Sequence, residues 1–221
     1  MKERKRRFIL TLATALVIIF GALYAQFQEQ QTDKIVKTSS AGQALEELAV
    51  KGRAPKTNYS RDQFGGGWET NSGCDTRNRI LQRDLEDITY DSDDCKINSG
   101  TLHDPYTNKQ IEFMRGKSTS SAIQIDHVVA LSDAWQKGAQ QLPYEKRVQL
   151  ANDGINLLAV DGPANMQKSD GDAATWLPPH KPFRCQYVSR QVSVKTKYKL
   201  WVTQAEHDAI KRILLDCTNT E

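Results

Sequence analysis

The chain has 221 residues, 38% of them hydrophobic and 26% charged, with 13 glycines and 7 prolines. That is enough apolar mass for one globular domain plus a tail, and it excludes collagen-like, coiled-coil and wholly disordered chains. Of the formal charge of +3, Lys2, Arg4, Lys5, Arg6 and Arg7 against Glu3 supply +4, so the rest of the chain carries −1. Overall charge therefore gives no support for nucleic-acid binding, which has to rest on a local patch.

The first cations run straight into residues 8–25, which carry no charge, the order of an export signal. Residues 1–28 therefore read as a signal peptide or an N-terminal membrane anchor. Either one places the remainder outside the cytoplasm, because the positive end stays inside. Residues 29–58 read as a linker carrying one short helix, opened by the capping box Ser40-Ala-Gly-Gln43, with Leu45, Leu48 and Ala49 on one face and Gly52 at its end. A single domain follows over 59–221.

Within it, the consecutive glycines Gly65, Gly66 and Gly67 read as a tight turn, since no Lys-Ser/Thr follows as in a phosphate loop. Asp75 can cap a helix carrying Ile80, Leu81 and Leu85. Residues 96–101 and 110–114 flank Asp104-Pro-Tyr-Thr-Asn108 as a β-hairpin. Residues 122–130 read as a buried strand ending near Asp126-His127. Ser132–Leu142 and Tyr144–Ala151 read as helices, Asn152-Asp-Gly154 as a turn and 155–160 as a second strand. Pro163 suits the first position of a short helix. Residues 185–200 fit a helix or a strand pair equally, and Thr203-Gln-Ala-Glu206 is a capping box for a C-terminal helix with Ile210, Ile213 and Leu214 inward.

Cys74, Cys95, Cys185 and Cys217 show no C-x-x-C spacing, which weakens zinc-ribbon and redox readings. In an exported chain they favour two disulfides. Cys74–Cys95 with Cys185–Cys217 is preferred, because each bridge then closes a short loop within one half of the domain, worth roughly 3–4 kcal/mol.

Residues 122–170, without the helical insertion, run strand, loop, strand, short helix. Asp126-His127 ends the first strand, Asn156 starts the second and Asn165 lies on the helix. Phosphodiester hydrolysis needs a base for water and a hard cation for the charge that builds on the phosphate. His127 is a base at ordinary pH. Asp126 and Asn165 offer the few oxygen ligands Mg²⁺ prefers, and Lys168 or Arg77 could meet the phosphate.

At these residues the sequence resembles the HNH endonucleases, the His-Me finger or ββα-metal nucleases. Gly73-Cys-Asp-Thr-Arg-Asn78, Asp104-Pro-Tyr-Thr107, Ala130-Leu-Ser-Asp-Ala-Trp135 and Asp170-Gly-Asp-Ala-Ala-Thr-Trp176 are similar to exported bacterial HNH proteins related to the C-terminal domain of GmrSD restriction enzymes. The resemblance implies an α+β fold: a ββα-metal core with a helical insertion and flanking helices, stapled by disulfides. It implies His127 as general base, Asn156 as the residue that holds the loop and orients the base, and Asp126 and Asn165 as ligands of Mg²⁺ or Mn²⁺. The substrate it implies is nucleic acid, DNA ahead of RNA. Asn165 stands where a His would favour zinc. Zinc-knuckle cysteines are absent, and Asn108 and Ser169 stand where the resemblance has glycine.

His103, His180 and His207 read as surface residues, Asp75 and Asp170 as helix caps or water-bridged metal contacts. Between Ala173 and Ala205 there is no acidic residue, while Lys181, Arg184, Arg190, Lys195, Lys197 and Lys199 alternate with Phe183, Tyr187, Tyr198 and Trp201, a candidate patch for a phosphate backbone. Two other readings fit the same residues: a non-catalytic envelope-associated module with a structural ion, and a metal-dependent hydrolase of another phosphoester polymer.

Overall fold

The computed structural model describes residues 14–24, 26, 40–91, 94–116 and 120–218. The cationic start of the leader and most of the linker before Ser40 lie outside the described residues. Residues 14–24 are helical, and among the described residues no helix is long and apolar enough to cross a membrane.

The domain is organised around one antiparallel strand pair, β6 (Ile123–His127) and β7 (Leu157–Asp161), in register from Ile123↔Asp161 to His127↔Leu157. β7 is buried at every position and β6 nearly so, which is why both read as continuous apolar runs. Alternate side chains leave on opposite faces. Ile123, Ile125, Leu157 and Ala159 pack against Ile80, Leu81, Leu102 and Phe113, whereas Leu158 and Val160 join Leu45, Tyr106, Tyr187, Val188 and Ile210.

The first of these layers holds β1 (Thr70–Asn71), β2 (Cys74–Asp75), α2 (Thr76–Asp84), β3 (Leu85–Tyr90), β4 (Ile97–His103) and β5 (Gln110–Met114). Asp75 caps α2 by accepting from the Asn78 backbone N–H at 2.7 Å. The helix stops one residue before Leu85, which opens β3 instead of closing α2; Ile88, Thr89 and Tyr90 favour extended backbone, and β3 extends the expected hairpin to a three-stranded sheet. The second layer holds α1 (Ser40–Glu47), α6 (Arg184–Lys197) and α7 (Gln204–Thr218). Residues 185–200 are thus largely helix, with Val188, Val192 and Tyr187 buried at helical spacing.

Between β6 and β7 lie α3 (Leu131–Gln136), a 3₁₀ turn Ala139–Gln141 and α4 (Tyr144–Asn152). The single helix expected over 132–142 is broken at Gly138, whose φ is 119° and whose missing Cβ leaves room for the Trp201 ring. α5 (Gly162–Lys168) follows β7 without a linker. Pro163 sits in its first turn and Asp161 caps it through the Ala164 N–H, and a Cβ at Gly162 would collide with the Ser121 carbonyl. Asn108 and Ser169, which replace the glycines of the resemblance, have φ of 61° and 51°, the left-handed region where glycine carries no steric penalty.

Both disulfides form as expected, Cys74–Cys95 tying β2 to the segment before β4 and Cys185–Cys217 tying α6 to α7. The domain boundary differs. Leu45 and Leu48 are in the core, Lys51 and Ala54 hydrogen-bond to Val202 and Gln136, and residues 40–58 belong to the domain. Arg53 pairs with Asp133 at 3.1 Å and Asp172 at 2.7 Å, carboxylates that also bind the fully buried Lys137, while Lys137 and Lys195 share Glu206. Three cations against three anions make this buried network neutral only while Arg53 is present. A chain beginning at residue 59 loses two core leucines and that cation, so it should be less stable than one beginning at residue 30, by on the order of 5 kcal/mol. Urea unfolding of the two checks this, and equal midpoints would show that residues 40–58 are dispensable.

Candidate active site

Asp126 and His127 end β6 and leave on opposite faces, so neighbours in sequence meet different surroundings. Asp126 and Gln124 share the face covered by α5. The Asp126 carboxylate accepts from the Tyr106 hydroxyl at 2.5 Å and from Lys168 Nζ at 2.8 Å, and Lys168 also donates to the His127 carbonyl at 2.8 Å. Tyr106 arrives from the β4–β5 turn. Asp104 fixes that turn by accepting from the Thr107 N–H, and it accepts from the Asp161 N–H at the start of α5. Asn165 donates through Nδ2 to Gln124 Oε1 at 2.8 Å, which leaves its Oδ1 free of that bond.

His127 is buried, 7% exposed, and its ring stacks on Trp68 with centroids 5.6 Å apart and planes 12° from parallel. Nε2 lies 2.9 Å from the Ala151 carbonyl oxygen. A carbonyl only accepts, so Nε2 carries the proton and Nδ1 of the neutral ring is the basic nitrogen. Burial pushes the imidazole pKa down to about 4. The Ala151 bond and the Asp126 charge oppose that fall, and Arg61 and Lys168 add to it.

Asn156 precedes β7 and is fully buried. Its Oδ1 accepts from the Val129 N–H at 2.8 Å and its Nδ2 donates to the Val129 and Leu150 carbonyls, while its own carbonyl accepts from the Val128 N–H. One side chain thus clasps the loop leaving His127 to the end of α4, which also supplies the Ala151 carbonyl.

A cleft runs past both sides of His127. One side is lined by Arg61, the glycine turn 65–67, Trp68 and Ala151, the other by Lys56, Tyr59, Arg61, Gln124, Asp126, Ser132, Asn165 and Asp170. Asp170 accepts from Lys56 at 3.2 Å and Ser132 at 3.0 Å. Its partial burial favours the neutral acid, but these two partners outweigh that and hold its pKa below the usual carboxylate range. Among the described residues no group of three or more His, Cys, Asp and Glu is placed to hold a metal ion. The oxygen donors at the cleft, Asp126, Asn165 and Asp170, fit a hard cation held by few protein ligands better than a soft ion in a closed cage. Each Asp126 oxygen has one hydrogen bond and so keeps a lone pair.

The structure brings together Asp126, His127, Asn156 and Asn165. It does not bring Lys168 or Arg77 to the cleft surface. Lys168 is enclosed as the counter-ion of Asp126, and Arg77 donates to the Ser120 and Ile123 carbonyls. Nor do residues 181–201 form the basic patch their sequence suggested: Lys195 is buried in the charge network, Lys197 pairs with Asp153, Arg190 donates to the Leu157 carbonyl, and Tyr187, Tyr198 and Trp201 are core. Asp75 acts as a helix cap. His207 is largely enclosed, with Asp208 3.5 Å away. Tyr106, Trp68, Arg61 and Gln124 were not singled out by sequence reasoning. Asp104-Pro-Tyr-Thr107 held the one usable signal, as part of the resemblance.

Removing Lys168 leaves a buried carboxylate without its counter-ion. Lys168→Met should therefore destabilise the fold by about 3–5 kcal/mol, and the double change Lys168→Met with Asp126→Asn should recover part of that loss. Chemical denaturation of the three variants measures it. Equal stabilities for Lys168→Met and the wild type would mean the pair carries no such coupling.

Residues 75–213 match the family model of the GmrSD restriction endonucleases, C-terminal domain. A protein of Arthroderma benhamiae described as an uncharacterized secreted protein is 36% identical over 186 residues, 83% of this chain and 87% of its own. No solved structure matches. The matched span runs from the cap of α2 into α7 and takes in Asp126, His127, Asn156 and Asn165 alike, and the chain belongs to the family of GmrSD restriction endonuclease C-terminal domains.

Proposed function

We propose that the protein is a metal-dependent endonuclease in which β6, β7 and α5 form an HNH-type ββα-metal core, hydrolysing phosphodiester bonds of nucleic acid, DNA ahead of RNA, with little sequence specificity. The observation that carries this reading is the bond from His127 Nε2 to the Ala151 carbonyl. It fixes the tautomer in which Nδ1 is free to take a proton, in a cleft that also holds Asp126 and Asn165. Asp126 and Asn165 would hold Mg²⁺ or Mn²⁺. The chemistry such a cation supplies when bound is neutralisation of the charge that builds on the phosphate and the leaving oxygen.

In the hydrolytic step His127 Nδ1 removes a proton from water as the water oxygen bonds to phosphorus and the leaving oxygen departs with the bonding pair. The imidazolium so formed is stabilised by the Ala151 carbonyl and by Asp126, the same groups that oppose the fall of the His127 pKa. Asn156 keeps the loop and the Ala151 carbonyl in place, and Tyr106 and Lys168 fix the carboxylate. The leader, the two disulfides and a relative described as secreted support action outside the cytoplasm.

His127→Ala should lower the rate of plasmid cleavage roughly 10²–10⁴-fold without rescue by added Mg²⁺. Asp126→Asn and Asn165→Ala should lose activity that rising Mg²⁺ partly restores, by mass action. Chelation should abolish cleavage. Wild-type rates for His127→Ala, or full activity in EDTA, contradict the reading.

The depressed pKa sets a pH window. The folded protein keeps His127 neutral down to about pH 4, whereas an unfolded chain binds the proton near 6.5. His127 therefore contributes stability above pH 6.5 that is lost as pH falls toward 4, roughly 3 kcal/mol in all. Urea unfolding of the metal-free protein should show this slope, and His127→Gln should flatten it. The acid limb of the cleavage rate should lie well below pH 6.5. An acid limb at 6.5, with no difference in slope between the two proteins, runs against a desolvated His127.

A further inference from the structure

Taking the hydrolase reading above as its premise, we infer that Arg61 is the side chain that binds the substrate phosphate. The sequence offered Lys168 and Arg77 for that task, and both are committed elsewhere: Lys168 is enclosed against Asp126 and the His127 carbonyl, Arg77 against the Ser120 and Ile123 carbonyls. Two cations remain among the residues that line the cleft, Lys56 and Arg61. Lys56 is bound to Asp170 and lies 5.3 Å from the centre of the Tyr59 ring.

Arg61 differs from Lys56 in three respects. It lines the cleft on both sides of His127. Among the described residues it makes no ion pair with a carboxylate, and its side chain is exposed. It also rides on an anchored element, the 3₁₀ turn Arg61–Phe64, in which Phe64 is buried beneath Trp135 and the Gln63 carbonyl accepts from Arg147 at 2.7 Å. A planar guanidinium with its donors free, fixed at the backbone and placed beside the base, is the group suited to bidentate binding of a phosphate. The cleft needs one. Of the carboxylates that line it, Asp126 is balanced by Lys168 and Asp170 by Lys56, so without Arg61 an approaching phosphodiester meets the remaining negative charge of Asp62.

The test uses the full oxidised protein in a His127→Ala background, which separates binding from cleavage. A short fluorescein-labelled DNA duplex in EDTA is titrated over a range of salt concentrations. Adding Arg61→Ala should weaken binding roughly tenfold or more and lower the log–log salt slope by about one, as loss of one phosphate contact requires. Adding Lys109→Ala, which removes an exposed cation on the β4–β5 turn, should change neither. With His127 intact, Arg61→Lys should keep most of the salt slope but cleave more slowly, because the ammonium lacks the fork. Unchanged urea midpoints for the Arg61 variants exclude misfolding as the cause. If Arg61→Ala binds like its parent, or loses no more than Lys109→Ala, Arg61 is not the phosphate contact while the nuclease reading stands. If the His127→Ala parent itself binds no DNA at any salt, the nuclease reading fails and this inference falls with it.

Discussion

The strand pair β6–β7 is buried on both faces, and a polar side chain carried at its end must bring its partner into the fold with it. Most of the site follows from that constraint. Asp126 faces α5 and is matched by Lys168 from the last turn of that helix and by Tyr106 from the β4–β5 turn. His127, one residue on, faces the other way and is matched by the Ala151 carbonyl and the Trp68 ring. Asn156 is enclosed entirely and satisfied by backbone groups on both sides of the helical insertion. These bonds orient the side chains before any substrate arrives, because an unmatched group at this depth would cost about 1–3 kcal/mol or more.

The same constraint operates a layer away. Lys137, Lys195, Asp133, Asp172 and Glu206 are all buried, and Arg53 completes their neutrality from the segment that precedes the glycine turn. Asp172 follows the cleft residue Asp170 by two positions, and Asp133 follows Ser132, the donor to Asp170. The cleft wall is therefore anchored to a charge cluster that also ties α3, α6 and α7 together.

What the sequence made legible was mostly what short-range chemistry decides. The Asp75 cap, Pro163 in the first turn of α5 and the apolar runs of β6 and β7 each act within a few residues and lie where the sequence places them. Thr203 caps α7 through the Glu206 N–H, although the Glu206 carboxylate turns to Lys137 and Lys195 and leaves the capping box half made. β3 was missed because Leu85 fits the apolar period of α2 as well as the start of a strand, and only pairing with β4 chooses between them. The basic, aromatic segment 181–201 misled for a related reason. A run of lysines and tyrosines does not reveal that alternate members point inward, where Lys195 meets Glu206 and Tyr187 meets Tyr106. Within the site, Asp126, His127, Asn156 and Asn165 stood out by order along the chain. Their partners Tyr106, Trp68 and Ala151 come from segments 20–60 residues away, and no local pattern marks them.

The chemistry of the site depends on His127 being held neutral, with its proton on Nε2 and its lone pair on Nδ1. Nitrogen NMR of the ring in the folded, metal-free protein at neutral pH reads this directly, since protonated and bare ring nitrogens resonate far apart. The expected spectrum shows a bare Nδ1 and a protonated Nε2. A proton on Nδ1, or a doubly protonated ring at neutral pH, would contradict it.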